Sequence, residues 1–549
     1  MSKKEKIIEK IKAYDRSYFN DDQKIIAIEI IKNCPEKEVQ SYFDFIQFKR
    51  NTGFVFDYAP EIAKGRLITL RENVGKRINV FNEIQNDENK LIIGDNYNAL
   101  KSLKITHKGK INIIYIDPPY NTESALKDGN SSSKEKITST SKFAYKDKFG
   151  RGGWLNMINE RLILAKDLLT DEGLIFVSID DSEQAYLKVL MDNIFGEDNF
   201  VNQIAWVSNK KGRQISNSLL AKTYEYILIY SKNSDKEFKF NKLDQEYAKK
   251  IMPSIYEKTD YEIMRDEYGE FVIKNELHNS NIKAFNINTR KNLFFPLFII
   301  ENEIFTNDTK NRNQKIVFPP KNQEGLQGVW RWSKEKIENS KQDLYIDEKN
   351  NQIKIYTKIR DMSIFPKDVI LSPKISTKSG TSEFLQIFEE EKFQYPKPVE
   401  LLKFLIKISG NKNSIVLDFF AGSGTTGQAV LELNKEDGGN RNFILCTNNE
   451  NNIAEEISYE RLFRIITGKT TDGNKKFKWL DKNEPFYGAK LRVINIDDSI
   501  KISLNDQVSE NVYYDCVKGL KLLNNNYNKE GLELFYDLSA LNPINEEVV

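Results

Sequence analysis

Cysteine and histidine are scarce in this 549-residue chain, and their scarcity excludes several kinds of protein at once. The three cysteines, Cys34, Cys446 and Cys516, form no CxxC pair, and the two histidines, His107 and His278, lie far apart. A disulfide scaffold and a Cys/His zinc site are therefore not expected, no other metal is implied, and a reducing compartment fits. Long apolar runs are lacking too. Nothing approaches the roughly 18 apolar residues of a membrane span, and the opening MSKKEKI has no signal-peptide core. A cytoplasmic protein with no membrane partner is the expectation. Charge of one sign is also missing: 82 Lys and Arg stand against 80 Asp and Glu, a formal net charge of +2. A polyanionic partner must then be met by locally sorted charge. No Gly-rich loop carries the Lys of a P-loop, so the chain is not expected to translocate or cut by itself. At this length, two or three domains are expected.

What is present is concentrated in two motifs. The apolar run INIIYI at 111–116 reads as a strand buried on both faces of a parallel sheet, and DPPY (Asp117, Pro118, Pro119, Tyr120) follows at its carboxyl end. Open α/β sheets bind their ligands at that end. The two prolines remove two donors and stiffen the turn, leaving the Asp117 carboxylate and nearby carbonyls as acceptors beside an aromatic ring. Such a cluster suits an exocyclic amine on a flat base; a proline-rich turn without chemistry is the plain alternative. The second motif is SIVLD at 414–418, a short strand running into FFAGSGTTG at 419–427 and then a helix-like QAVLEL. Its glycines permit a tight turn and close ligand approach, and the helix start offers free N–H groups to an anion. By itself this GxGxxG also fits a dinucleotide fingerprint.

Taken together, the motifs resemble the amino-methylating DNA methyltransferases, in which FxGxG binds S-adenosylmethionine and DPPY holds the target amine. With DPPY first and the glycine loop about 300 residues later, the order is that of the β class. Further stretches resemble the modification subunit of type III restriction-modification systems: LIIGDNYNAL at 91–100, WLNMINERL at 154–162, GLIFVSIDDSE at 173–183, TYEYILIYS at 223–231 and YPKP at 395–398. The resemblance covers about 90–235 and 390–470. It implies an α/β, Rossmann-like methyltransferase sheet with an inserted target-recognition domain and a helical N-terminal extension. It also implies an adenine-N6 enzyme acting on double-stranded DNA, a homodimer, and a separate restriction (helicase-nuclease) subunit as partner.

Site roles follow the same resemblance. Asp117 and the Pro118 carbonyl would accept the amine N–H groups, with Pro119 shaping the turn, and Tyr120 would stack on a base flipped from the duplex. No Pro-Cys nucleophile motif is present, as a cytosine-C5 enzyme would need, and Asp at the first motif position leans to adenine over cytosine N4. On the cofactor side, Asp418, Phe419, Ala421, Gly422 and Gly424 would line the site, Asp95 would meet the adenine amine of the cofactor, and Lys397 would lie near its carboxylate. Asp95 as a plain turn former and Lys397 as a surface lysine are the bland alternatives. One departure stands out: the strand FILC at 443–446 continues as TNNE, without the usual acidic residue at its end, so Asn448 or Glu450 would reach the ribose.

The domain reading is a helical extension at 1–85, a catalytic half at 86–235, a target-recognition domain at 236–388, a cofactor half at 389–470 and a docking or dimerisation region at 471–549. Strands are expected at 91–94, 111–116 and 174–179, and a helix near 155–169. The polar stretch 127–142 is expected to act as a lid that orders on DNA. In 236–388, Lys315, Lys321, Arg331, Lys334, Lys336, Arg360 and Lys374, with Trp330, Trp332 and Tyr356 among them, are candidates for backbone and base contact. A stand-alone β-class methyltransferase and an NAD-dependent oxidoreductase are the competing functions.

Overall fold

The computed structural model describes residues 2–13, 21–47, 66–80, 88–120, 151–212, 220–233, 240–256, 262–278, 285–321, 325–349, 352–473, 476–501 and 510–529. They form two compact units, one of 1–241 with 366–549 and one of 242–365. In chain order the first unit opens with β1 (Arg66–Glu72), β2 (Asn89–Ile93), β3 (Ile111–Ile116), β4 (Leu169–Ile179), β5 (Phe200–Trp206) and β6 (Glu225–Ser231). The second unit holds β7 (Ile263–Asp266), β8 (Gly269–Glu276), β9 (Leu297–Ile300), β10 (Glu303–Phe305), β11 (Lys315–Val317), β12 (Leu344–Lys349) and β13 (Gln352–Ile359). The first unit resumes with β14 (Val369–Ile370), β15 (Ile415–Asp418), β16 (Asn442–Thr447) and β17 (Leu491–Lys501).

A ten-stranded sheet organises the first unit, in the order β1-β17-β2-β16-β15-β3-β4-β6-β5-β14. The six strands from β17 to β4 run parallel, and β1 and β6 pair antiparallel at either side of them. Parallel strands need cover on both faces, which explains why β2 is buried throughout, its polar Asn89 and Lys90 included. Ile92, Ile114, Ile444 and Cys446 enter one core with Leu100 and Leu103 of helix Asn96–His107 and Ile158 and Leu162 of helix Arg151–Leu168. Their sequence neighbours Leu91, Ile113 and Leu445 are equally buried and, with a period of two, point to the opposite face.

Two boundaries differ from the sequence expectation. The N-terminal extension is not helical throughout: after helices Lys3–Lys12, Asp21–Asn33 and Val39–Gln47, residues 66–72 are β1. The 471–549 region is not wholly surplus either, because β17 enters the sheet between β1 and β2. Arg492 explains its place there: fully buried, it makes a two-pronged ion pair with buried Glu88, at 2.6 and 2.9 Å, and also pairs with Glu72. A guanidinium so enclosed holds its strand only where both carboxylates await it. The polar stretch 127–142, read as a lid, lies outside the described residues.

The second unit is shorter than the 236–388 expected for the insertion. Residues 366–388 belong to the first unit, where β14 pairs with β5 and helix Thr377–Phe388 buries Phe384, Ile387 and Phe388. Composition hid this, because the apolar face of that helix follows a long Asn- and Lys-rich stretch. Within 242–365, an antiparallel sheet β12-β13-β8-β7 and a smaller one, β10-β9-β11, enclose Leu277, Leu297, Trp330 and Ile355. Some residues put forward there for DNA contact are structural. Trp330 is buried and donates to the Phe295 carbonyl at 2.8 Å, and Arg360 is held by Asp266 and Asp343, both at 2.8 Å; Lys315, in an exposed pair with Glu348 at 2.6 Å, stays on the surface. Lys374 falls in the first unit.

Candidate active site

Parallel register brings the expected site residues to one edge. Asp95 follows β2, Asn448 follows β16, Asp418 ends β15 and Asp117 follows β3, and these four strands are consecutive neighbours in the sheet. The topology thus joins residues 353 positions apart in sequence, from 95 to 448, along a single carboxyl rim.

On the β3 side, DPPY forms a charged cluster with two residues from elsewhere. The Lys397 ammonium donates to the Tyr120 hydroxyl oxygen at 2.5 Å and lies 3.1 Å from both Asp117 Oδ1 and Glu225 Oε2. The Tyr120 hydroxyl is within hydrogen-bonding distance of the same two carboxylate oxygens, at 2.9 and 3.1 Å. Lys397 stands 4.9 Å from the centroids of both the Tyr120 and Trp206 rings, which keep water from it. Burial pushes the Asp117 carboxyl above the usual range although the Lys397 charge opposes it. Burial acts on Glu225 in the same sense, but there Lys397 and the Ser208 and Tyr120 hydroxyls together outweigh it, and the net shift is downward. The two carboxylates are driven apart, a pattern that separates a proton-accepting group from a permanent anion. Lys397 is depressed by burial and raised further by its two anions, so it stays charged.

The turn itself is fixed from outside. Trp154 donates its indole N–H to the Pro119 carbonyl at 2.6 Å, which engages one of the two proline acceptors. Burial holds the Tyr120 hydroxyl well above its ordinary pKa, so it remains a neutral donor.

On the β15 side, Gly422 and Gly424 take φ values of +49° and +76°, the left-handed region that lets the chain turn sharply into helix Thr425–Asp437. A Cβ on Gly422 would come within 3.1 Å of Phe393. The Ala421 N–H donates to the Cys446 carbonyl at 3.1 Å, stitching the loop to β16. Asp418 accepts from the Phe420 N–H at 3.0 Å and from the Thr426 hydroxyl, and burial lifts its pKa to about 7. Arg461, fully buried on helix Glu460–Thr467, ties that helix to the loop through Ser423 at 3.1 Å and to helix Thr425–Asp437 through Thr425 at 2.7 Å and Gln428 at 2.8 Å.

The profile of a DNA methylase family, N6_N4_Mtase, matches residues 111–460. The chain belongs to that family. It is a DNA methyltransferase with S-adenosylmethionine as methyl donor. Among its relatives, the Mod subunit of the EcoPI type III restriction-modification enzyme of Escherichia phage P1 is 33% identical over 467 residues, covering 80% of this chain and 70% of the relative. The type II methyltransferase M.KpnI of Klebsiella pneumoniae is 31% identical, covering 74% and 90% respectively. The StyLTI type III Mod subunit of Salmonella typhimurium is also 31% identical, covering 72% of this chain and 58% of its own length. A second profile, of an uncharacterised conserved protein, matches residues 4–113. The oxidoreductase alternative falls with the family match.

Two sequence assignments for the methyltransferase, Phe419 and Lys397, change in the structure, and Asp95 gains a second role. Phe419 does not line the site: its ring is fully buried in the core and its carbonyl accepts from Asn96 at 2.8 Å, while the half-buried neighbour Phe420 stands next to the loop. The two phenylalanines sit in the turn after β15 with ring centroids 5.4 Å apart, and only Phe420 keeps part of its ring exposed. Lys397 lies in the target-amine cluster rather than free to face a cofactor carboxylate. Asp95 works as the N-cap of helix Asn96–His107, accepting from the Tyr97 N–H at 2.9 Å, and its other oxygen is 3.3 Å from buried Arg161. That oxygen still leaves the carboxylate a third exposed, so capping and cofactor contact are compatible. Asn448 and Glu450 are both half-buried just beyond β16, and nothing in the geometry chooses between them for the ribose. Glu225, Trp154, Asn96 and Arg161 were not assigned roles, although each sits inside a stretch that carried the resemblance.

The residues present suit the methyl donor. A left-handed glycine turn opening onto a helix start accepts an anionic carboxylate, and a partly exposed carboxylate at Asp95 accepts an exocyclic amine.

Proposed function

We propose that this chain methylates adenine N6 within a specific duplex sequence, as the modification and recognition subunit of a type III restriction-modification system. The observation that carries the chemistry is the cluster at the β3 end. Both recorded contacts to Asp117 fall on Oδ1, which leaves Oδ2 and the Pro118 carbonyl for the two N–H groups of a target amine. Accepting both bonds favours the tetrahedral nitrogen whose lone pair can attack. Bound S-adenosylmethionine supplies an electrophilic methyl group, whose carbon–sulfur electron pair leaves with sulfur as the nitrogen–carbon bond forms. The amine must then shed one proton, and Asp117, with its raised pKa, is the adjacent acceptor. Tyr120, its hydroxyl held by Lys397, offers a fixed ring face to a base drawn out of the helix.

The unit 242–365 is the proposed target-recognition domain, the Mod-subunit relatives support pairing with a restriction subunit, and a homodimer is part of the same proposal. M.KpnI, a type II methyltransferase of which the chain covers 90%, favours a second reading as a stand-alone enzyme. Long-read sequencing of DNA from cells with and without the gene is expected to show one short motif carrying N6-methyladenine. Exchange of 242–365 for the segment of a relative should move that motif while the modified base stays the same. An unmoved motif from an active chimera contradicts the recognition role. Co-purification with a helicase-nuclease partner separates the type III reading from the stand-alone one.

A further inference from the structure

The cluster contains one more acid than the transfer needs. Lys397 has three N–H bonds and three acceptors, Asp117 Oδ1, Glu225 Oε2 and the Tyr120 oxygen, so its donors are matched one for one. Glu225 opens β6, where it is paired with Trp206 of β5 in the antiparallel register. The Trp206 indole donates to the Ile375 carbonyl at 2.7 Å, so the ring beneath Lys397 is itself anchored. Glu225 is thus delivered by the rigid part of the sheet, opposite Asp117.

The arithmetic of charge shows what it does there. With Glu225, one ammonium is shared between two carboxylates. Without it, one ammonium and one carboxylate close into a simple pair, and the buried lysine competes with the incoming amine for Asp117. We propose that Glu225 is a positioning residue for methyl transfer, holding Lys397 at a shared point so that Asp117 stays available to the target amine. This rests on the reading of Asp117 as the amine acceptor. The charged and titratable groups facing Asp117 are Lys397, Tyr120 and Tyr115 beside it, Glu225 from β6 and Asp418 from β15, with Tyr115 bound to Ser178 at 2.9 Å.

Glu225→Gln keeps the shape and removes the charge. At saturating duplex and donor, kcat is expected to fall about a hundredfold, while equilibrium binding of S-adenosylmethionine changes by less than about twofold. Removing an anion near Asp117 favours its ionised form, so the acid limb of the kcat–pH profile should move to lower pH. Glu225→Asp, which retains the charge, should lose less and leave the acid limb in place. Adding Lys397→Met to Glu225→Gln should restore part of the lost rate, because the unbalanced ammonium goes with it. Wild-type kcat with an unmoved acid limb in Glu225→Gln overturns the proposal, as does a loss confined to donor binding. Asp117→Ala is run beside these variants. If it keeps transferring methyl groups, the underlying reading of the site fails; if it is inactive while Glu225→Gln is unaffected, only the present inference fails. Should Glu225→Gln not fold, Glu225→Asp and the double variant still decide the matter, and equal, pH-independent losses in both refute it.

Discussion

Asp117→Ala is expected to lower methyl transfer by about a thousandfold and to leave S-adenosylmethionine binding within about twofold of wild type. The asymmetry follows from position. Asp117 opens the turn after β3, and its contacts are to Tyr120 and Lys397; the glycine loop that suits the donor follows β15 and is braced by Thr426, Cys446 and Arg461. Losing the carboxylate removes the acceptor that holds the amine and the group nearest to its departing proton. It also leaves Lys397 with Glu225 as its one carboxylate partner, a balanced pair, so the local structure should persist. Tritiated methyl transfer and equilibrium donor binding, measured separately, check both halves. Transfer above a tenth of the wild-type rate, a barrier change of only about 1.4 kcal/mol, contradicts the assigned role.

Arg492→Met should destabilise the first unit by about 3–5 kcal/mol, the range for removing one partner of a buried ion pair. Glu88 would be left buried without its two-pronged partner, and among the described residues Glu72 would keep Arg77, at 2.6 Å. The Glu88 carboxylate would then lose both charge-assisted bonds from Arg492 that offset its desolvation, and β17 would lose that tie to its neighbours. Shifts in the denaturant midpoint, followed by far-UV circular dichroism, measure the loss. A change below about 1 kcal/mol shows that β17 is held by its apolar faces alone, as for an ordinary sheet strand.

The catalytic rim was legible because it depends on local rules. INIIYI and SIVLD are short apolar runs that end in polar turns, and those rules place Asp117 and Asp418 at carboxyl ends whatever the rest of the chain does. The strand order was not legible, since it is set by register between segments hundreds of residues apart. That is why β1 and β17 were read as surplus: NKLII reads as a strand by itself, whereas LRVINIDDSIK is recognisable as one only once Glu72 and Glu88 stand beside Arg492. The same limit applies within the site. Glu225 and Lys397 are 172 positions apart, and neither residue type predicts the other; only pairing of β6 with β4 and β5 brings Glu225 opposite Asp117. Phe419 and Phe420 show the smaller version, a one-residue ambiguity in the turn after β15 that only the packing of the two rings resolves.

The central claim is that the rim formed by β2, β16, β15 and β3 is a single site for transfer of a methyl group to an adenine amine. The most direct test is to incubate the protein with S-adenosyl-L-[methyl-³H]methionine and genomic DNA from a host lacking the gene, digest to nucleosides and find the label. The account predicts tritium in N6-methyladenine from wild-type protein and none above background from Asp117→Ala. Label in N4-methylcytosine, or the same N6-methyladenine yield from Asp117→Ala, contradicts it.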